Sequence, residues 1–222
     1  MRLPFSPFFL LLFIVLLVTL VAVVQVGLMS VAFDKLGLSP GGGLLLLAGS
    51  LLGSVINLPL FTIAAQPSPE LEVPPWLRGL LQQRPQLFAG RTLIAINVGG
   101  GLIPLCFSLY LIRHTPITPD HLLMAIGFVT AISYLSSRPV AGLGIAMPLF
   151  IGPLSAAAVA VLLDRAHSAP LAYICGTLGV LLGADLLRLP NIRQLGTPLA
   201  AIGGAGTFDG IFLTGIVAVL LA

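Results

Sequence analysis

Seven apolar runs recur along this chain from end to end, and they leave little of it for any water-facing fold. They cover residues 8–33, 42–65, 92–112, 121–136, 140–163, 169–187 and 199–222. A helix needs about 20 apolar residues to cross a hydrocarbon core of roughly 30 Å. All but the fourth run approach or exceed that length. Only 8% of the 222 residues are charged, against about 25% in soluble domains, too few to cover an exposed surface. The mean hydropathy is +1.12. The expectation is an all-α polytopic transmembrane bundle of about seven spans, forming a single integral membrane domain over residues 1–222. The first run is too long for the apolar core of a signal peptide and has no small-x-small cleavage site, so it is read as the first span.

Between the second and third runs lies the one substantial loop, 66–91. It holds Pro67, Pro69, Pro74, Pro75 and Pro85 and the stretch Trp76-Leu77-Arg78-Gly79-Leu80-Leu81. A tryptophan beside leucines and an arginine reads as a short amphipathic segment lying at the headgroups. With seven spans, Arg2, Arg78, Arg84, Arg91, Arg138, Arg188 and Arg193 fall on one side, and Lys35, Arg113 and Arg165 on the other. That bias places the N-terminus in the cytoplasm and the C-terminus outside a cell inner membrane. If the short fourth run failed to cross, the split would become even, so the fourth run is kept as a span.

Several function classes drop out. A net charge of +3 without a basic cluster excludes nucleic acid as a partner. Cys106 and Cys175 form no CxxC pair and sit inside apolar runs, as small hydrophobes do. His114, His121 and His167 lack ligand spacing, so no metal and no cofactor is expected. The lipid bilayer is the certain partner. Gly49-x-x-x-Gly53 and Gly179-x-x-x-Gly183 permit close helix contact, within the bundle or at a seam between two copies.

Charged groups within a span are costly and point to function by default. Asp34, Lys35, Asp120 and Asp164 fall at run ends. Asp209 does not. Only 13 residues follow it, about 20 Å of helix at roughly 1.5 Å each. Either the last span starts near Leu199 and carries Asp209 about 15 Å deep, or Gly203–Gly206 breaks it and Thr207 or Asp209 caps a second half-helix. Asp185 lies near the end of the sixth span, where Arg188 is placed to pair with it at i,i+3. The two spans run antiparallel, which brings Asp185 and Asp209 toward the same cytoplasmic end. Two adjacent carboxylates share one proton, and such a pair can activate water and protonate a leaving group. Asn57 and Asn97 are further polar groups at depth. Asn97 precedes Gly99-Gly100-Gly101 and Pro104, residues that can open a span into the kind of broken helix on which transporters build binding sites.

The stretches Asn97-Val98-Gly99-Gly100-Gly101-Leu102-Ile103-Pro104, Ser137-Arg138-Pro139-Val140-Ala141-Gly142-Leu143-Gly144-Ile145 and Gly203-Gly204-Ala205-Gly206-Thr207-Phe208-Asp209-Gly210-Ile211-Phe212 resemble a membrane family of bacteria and archaea with no established activity. More distantly, the arrangement is similar to the GxGD intramembrane aspartyl proteases, the presenilin and signal-peptide-peptidase group. That resemblance implies Asp185 as the first catalytic aspartate and Asp209, behind Gly204 and Gly206, as the second. Thr207 and Phe208 stand between glycine and aspartate where the motif has nothing, Ala184 replaces the tyrosine before the first aspartate, and no Pro-Ala-Leu follows.

Three readings therefore stand. One is an intramembrane aspartyl-protease-like hydrolase that uses Asp185 and Asp209 on a membrane-protein or peptide substrate. The second is a transporter of a small solute or ion, with Asp209, Asn97 and Asn57 near its site and Gly204, Gly206 and Thr207 forming the broken backbone. The third is a scaffold without catalysis.

Overall fold

A computed structural model describes residues 7–66, 90–140, 144–193, 196–204 and 210–222. The chain is mostly helical, and a small sheet interrupts it at one end. Helix α1 (Pro7–Lys35) turns through 112° between its Gln25–Lys35 portion and α2 (Pro40–Gly53). Ser39 caps α2 by accepting the Gly42 N–H, and Pro40 occupies the first turn, where its missing donor costs nothing. Strand β1 (Asn57–Ala64) follows, then β2 (Arg91–Asn97), a π-helical turn (Val98–Leu102) and α3 (Ile103–His114). Helix α4 (Pro119–Ser136) leads to a short hairpin of β3 (Arg138–Val140) and β4 (Gly144–Ala146), then α5 (Ile151–Leu163). Helix α6 (Ser168–Val180) runs on through a second π-helical turn (Leu181–Leu186) to the single turn α7 (Leu189–Ile192). Strand β5 (Leu199–Ile202) and α8 (Gly210–Leu221) end the chain.

Four of the seven expected spans are thus composite. Residues 42–65, 92–112, 140–163 and 199–222 each combine a helix with extended backbone, so the bundle is mostly rather than entirely helical. The strands exist because they pair. Strand β2 lies between β1, antiparallel with Asn57 opposite Asn97, and β5, parallel with Ile96 opposite Ile202. Pro59, which cannot donate to a ladder, sits on the edge strand at its irregularity. Among the described residues the continuous helix Ser168–Leu186 is long and apolar enough to cross a membrane, and the bent α1–α2 pair makes a second if it is taken as one span. The expected interfacial segment around Trp76 lies outside the described residues.

Helix α6 is the axis of the fold, packed by α3, α4, α5 and α8. Leu171, Ala172, Tyr173, Ile174, Cys175 and Thr177 are wholly buried, as a helix apolar on every side requires. Glycines let its neighbours approach. A side chain at Gly176 would meet Ala156 and Ala218, one at Gly179 would meet Val129, and one at Gly183 would strike the α4 backbone at Thr130 and Tyr134. Gly53 is pressed in the same way against Gly99. Both small-x-x-x-small motifs are therefore seams within one chain.

Two ends can be told apart. At one, Lys35 Nζ donates to the last carbonyls of α8 at Val219 and Leu220 (3.3 and 3.4 Å), and Ser168 Oγ donates to Ala222 O (3.2 Å). This end also holds the α5–α6 turn, where Asp164 Oδ1 accepts the N–H groups of Ala166 and His167 and Oδ2 lies 3.1 Å from His167 Nδ1. Slight burial opposes ionisation of Asp164, but the His167 side chain and backbone N–H, the charge attraction and the Ala166 N–H outweigh it and hold the carboxyl below its ordinary value. A depressed folded pKa stabilises above the unfolded value, and the benefit fades as pH falls through the folded one. Melting followed from about pH 6 to about pH 3 should show an acid-side loss that is smaller in Asp164→Asn. Parallel curves for the two proteins would contradict this.

Candidate functional site

The other end gathers the sheet, both π-helical turns and Asp185. The second π turn inserts one residue into α6, which Leu187 N donating to Leu182 O records at 2.9 Å. Such single-turn insertions are frequent at functional sites. Asp185 is half-buried there, and its Oδ2 accepts the backbone N–H of Gly203 at 2.8 Å. Gly203, with φ +81°, and Gly204, with φ +90°, turn the chain out of β5 in a conformation that side chains disfavour. Gly203 is also seated on the first glycine turn. A Cβ there would lie 2.8 Å from Gly100 C and 2.6 Å from Gly101 Cα. Asp185 thus joins α6 to the turn that leads toward Asp209.

The expected Asp185–Arg188 pair does not form. Arg188 instead caps the end of α4, donating to Tyr134 O (2.6 Å), Ser137 O (2.8 Å) and Ser137 Oγ (3.2 Å), with its guanidinium 4.1 Å from the centre of the Tyr134 ring. The orphan carbonyls at the C-terminus of α4 are good partners for a cation, and Arg188 satisfies two of them. Among the described residues Asp185 has no cationic partner.

Asp209, Gly206 and Thr207 lie outside the described residues. Their flanks nevertheless favour the second of the two alternatives for the last span. Residues 199–202 are strand and α8 covers Gly210–Leu221, so the last apolar run is not one continuous helix from Leu199. Asp209 directly precedes the first residue of α8.

Asn57 and Asn97 do meet, but as structure. Asn97 is 1% exposed; its Nδ2 donates to Ser54 O (2.7 Å) and Asn57 Oδ1 (3.0 Å), and its Oδ1 accepts the Gly100 N–H (2.8 Å). Ser50 Oγ donates to Gly99 O (2.7 Å) across the same contact. Asn97 is the cap of the first glycine turn, with three of its hydrogen-bonding positions filled by protein. Asn97→Ala strands a buried N–H and a buried carbonyl and should cost about 1–3 kcal/mol for a group left unpaired. Unchanged melting of that variant would contradict the capping role. The histidines are apart. His114 meets Tyr110 O at 2.8 Å and His167 meets Asp164. Among the described residues no three His, Cys, Asp or Glu side chains gather as metal ligands.

Sequence reasoning missed the Gly203 amide and the Arg188 clamp. The adjacent Gly203-Gly204 pair was the available sign of a left-handed turn; nothing in the sequence pointed Arg188 at Tyr134. Residues 51–221 match the family described as Protein of unknown function (DUF1614). No curated protein and no solved structure matches the chain.

Proposed function

The chain belongs to the DUF1614 family, and from its own geometry we propose that it is a multi-pass membrane hydrolase of the aspartyl-protease kind, with Asp185 and Asp209 sharing one water. The observation that carries this reading is the hydrogen bond from Gly203 N–H to Asp185 Oδ2. It ties the first carboxylate to the glycine turn that precedes the second in the sequence. One carboxylate removes a proton from water while its oxygen adds to the peptide carbonyl; the protonated partner gives its proton to the nitrogen as the C–N bond breaks. The broken final span supports the reading, because irregular backbone at membrane depth persists only where it is buried in protein or lines a polar cavity. The wider arrangement of this proposal is seven spans in the cytoplasmic membrane, with the sheet end and its arginines on the cytoplasmic side. The distant similarity to GxGD proteases is one of position on consecutive membrane segments and not of motif.

The alternative of solute transport through Asn57 and Asn97 gains little from those residues, because the Asn97 amide holds the first glycine turn and Asn57 Oδ1 accepts from it. The test is proteolysis by the purified full chain in liposomes, against a panel of single-span membrane peptides, read by mass spectrometry. Cleavage by the native protein and none by Asp209→Asn is the expected result. Cleavage retained by that variant would end the dyad mechanism. Solute flux without cleavage, lost in the same variant, would move the assignment to transport.

A further inference from the structure

Charge is distributed unequally between the two ends. Among the described residues the far end carries Lys35, Arg113 and Arg165 balanced by Asp34, Asp120 and Asp164. Among the described residues of the sheet end, Arg91, Arg138, Arg188 and Arg193 stand against Asp185, which is bound to an amide. Arg188 is committed to the α4 terminus. Arg193 is exposed, and among the described residues it makes no salt bridge. Beside it, between β1 and α7, lies an open cavity of about 320 Å³ lined by Phe61, Ile63, Leu189, Pro190 and Arg193. Gln66 N donating to Arg193 O (2.8 Å) ties the end of α7 to the end of β1 and so fixes the two walls.

An apolar slot with a single cation at its margin is amphipathic, and its occupant must be so too. A soluble anion would leave the four apolar walls wet, whereas an amphipathic anion covers them and places its charge on the exposed guanidinium. The volume is at the small end for ligand sites, enough for part of one acyl chain and not for a whole lipid. Basic pockets on the cytoplasmic face of membrane proteins hold anionic headgroups in this way. We propose that the cavity between β1 and α7 binds an anionic phospholipid, with its phosphate on Arg193 and one acyl chain against Phe61, Ile63, Leu189 and Pro190. The site rests on the membrane reading but not on proteolysis, so Asp185→Asn leaves it intact.

The experiment is native mass spectrometry of the full chain in neutral detergent, titrated with phosphatidylglycerol or with phosphatidylcholine of the same acyl chains. Phosphatidylglycerol should bind about fivefold more tightly, the ratio that one guanidinium near a headgroup supplies. That preference should disappear in Arg193→Gln and persist in Arg138→Gln, an exposed arginine of β3 outside the cavity. Equal binding of the two lipids by the native protein, or the same loss in both variants, would overturn the site. Competition by millimolar inorganic phosphate with equal strength would reassign Arg193 to a free anion.

Discussion

Replacing Asp185 by asparagine should lower proteolysis by about 10²–10⁴-fold, the range for losing one member of an acid–base pair, while the protein melts as before. The two halves of that expectation come from different atoms. Asparagine keeps an oxygen where Asp185 Oδ2 accepts the Gly203 N–H at 2.8 Å, so the tie between α6 and the β5 turn survives. It cannot take up or release a proton, so a shared-proton pair is gone. Asp185→Ala reports the other role. It removes the acceptor and leaves the Gly203 amide unpaired, at a cost of about 1–3 kcal/mol. If Asp185 only holds the turn, asparagine will be silent in activity and alanine will account for every effect.

Gly203→Ala should be among the most damaging single methyl additions in the described fold. The residue sits at φ +81°, where a side chain costs roughly 1–2 kcal/mol. Its Cβ would also lie 2.6 Å from Gly101 Cα and 2.8 Å from Gly100 C, backbone that cannot rotate aside. Overpacking of that kind adds about 1–3 kcal/mol, so a total loss of about 2–5 kcal/mol is expected in reversible unfolding in detergent. Activity should fall with it, because the displaced amide is the one that holds Asp185. Gly127→Ala is the control, since nothing lies within 4 Å of a Cβ at that position. Equal behaviour of the two variants would contradict the close seating of β5 on the first glycine turn.

Where apolar runs carried only isolated glycines and no proline beyond the first turn, the sequence was legible. The runs 8–33, 121–136 and 169–187 correspond to α1, α4 and α6 with its π turn. Where a run held a Gly cluster or an internal proline, it hid a strand. Residues 93–96 and 199–202 are continuous apolar stretches without alternation, and periodicity cannot separate a buried strand from a buried helix segment in such stretches. Thr92-Leu93-Ile94-Ala95-Ile96, rich in β-branched residues and followed by Gly99-Gly100-Gly101, was the one local hint. The parallel pairing of β2 with β5 joins residues about a hundred positions apart, and no local pattern announces it. The site was half legible. The cost of a charge within an apolar run drew attention to Asp185 and Asp209 as candidates, whereas partner choice depends on orphan backbone groups: Gly203 N–H for Asp185, and the Tyr134 and Ser137 carbonyls for Arg188. Asn97 was read as a polar group at depth and is a cap, because the glycine turn it precedes has an amide to satisfy at Gly100.

The dyad itself is tested most directly by disulfide cross-linking of the full chain carrying Asp185→Cys and Asp209→Cys, with Cys106 and Cys175 replaced by serine and alanine. A disulfide requires Cα atoms within about 7 Å, close to the spacing that two carboxylates sharing a water need. The account predicts near-complete cross-linking under mild oxidation in membranes. Two thiols that both react with a small alkylating reagent yet never join would contradict it.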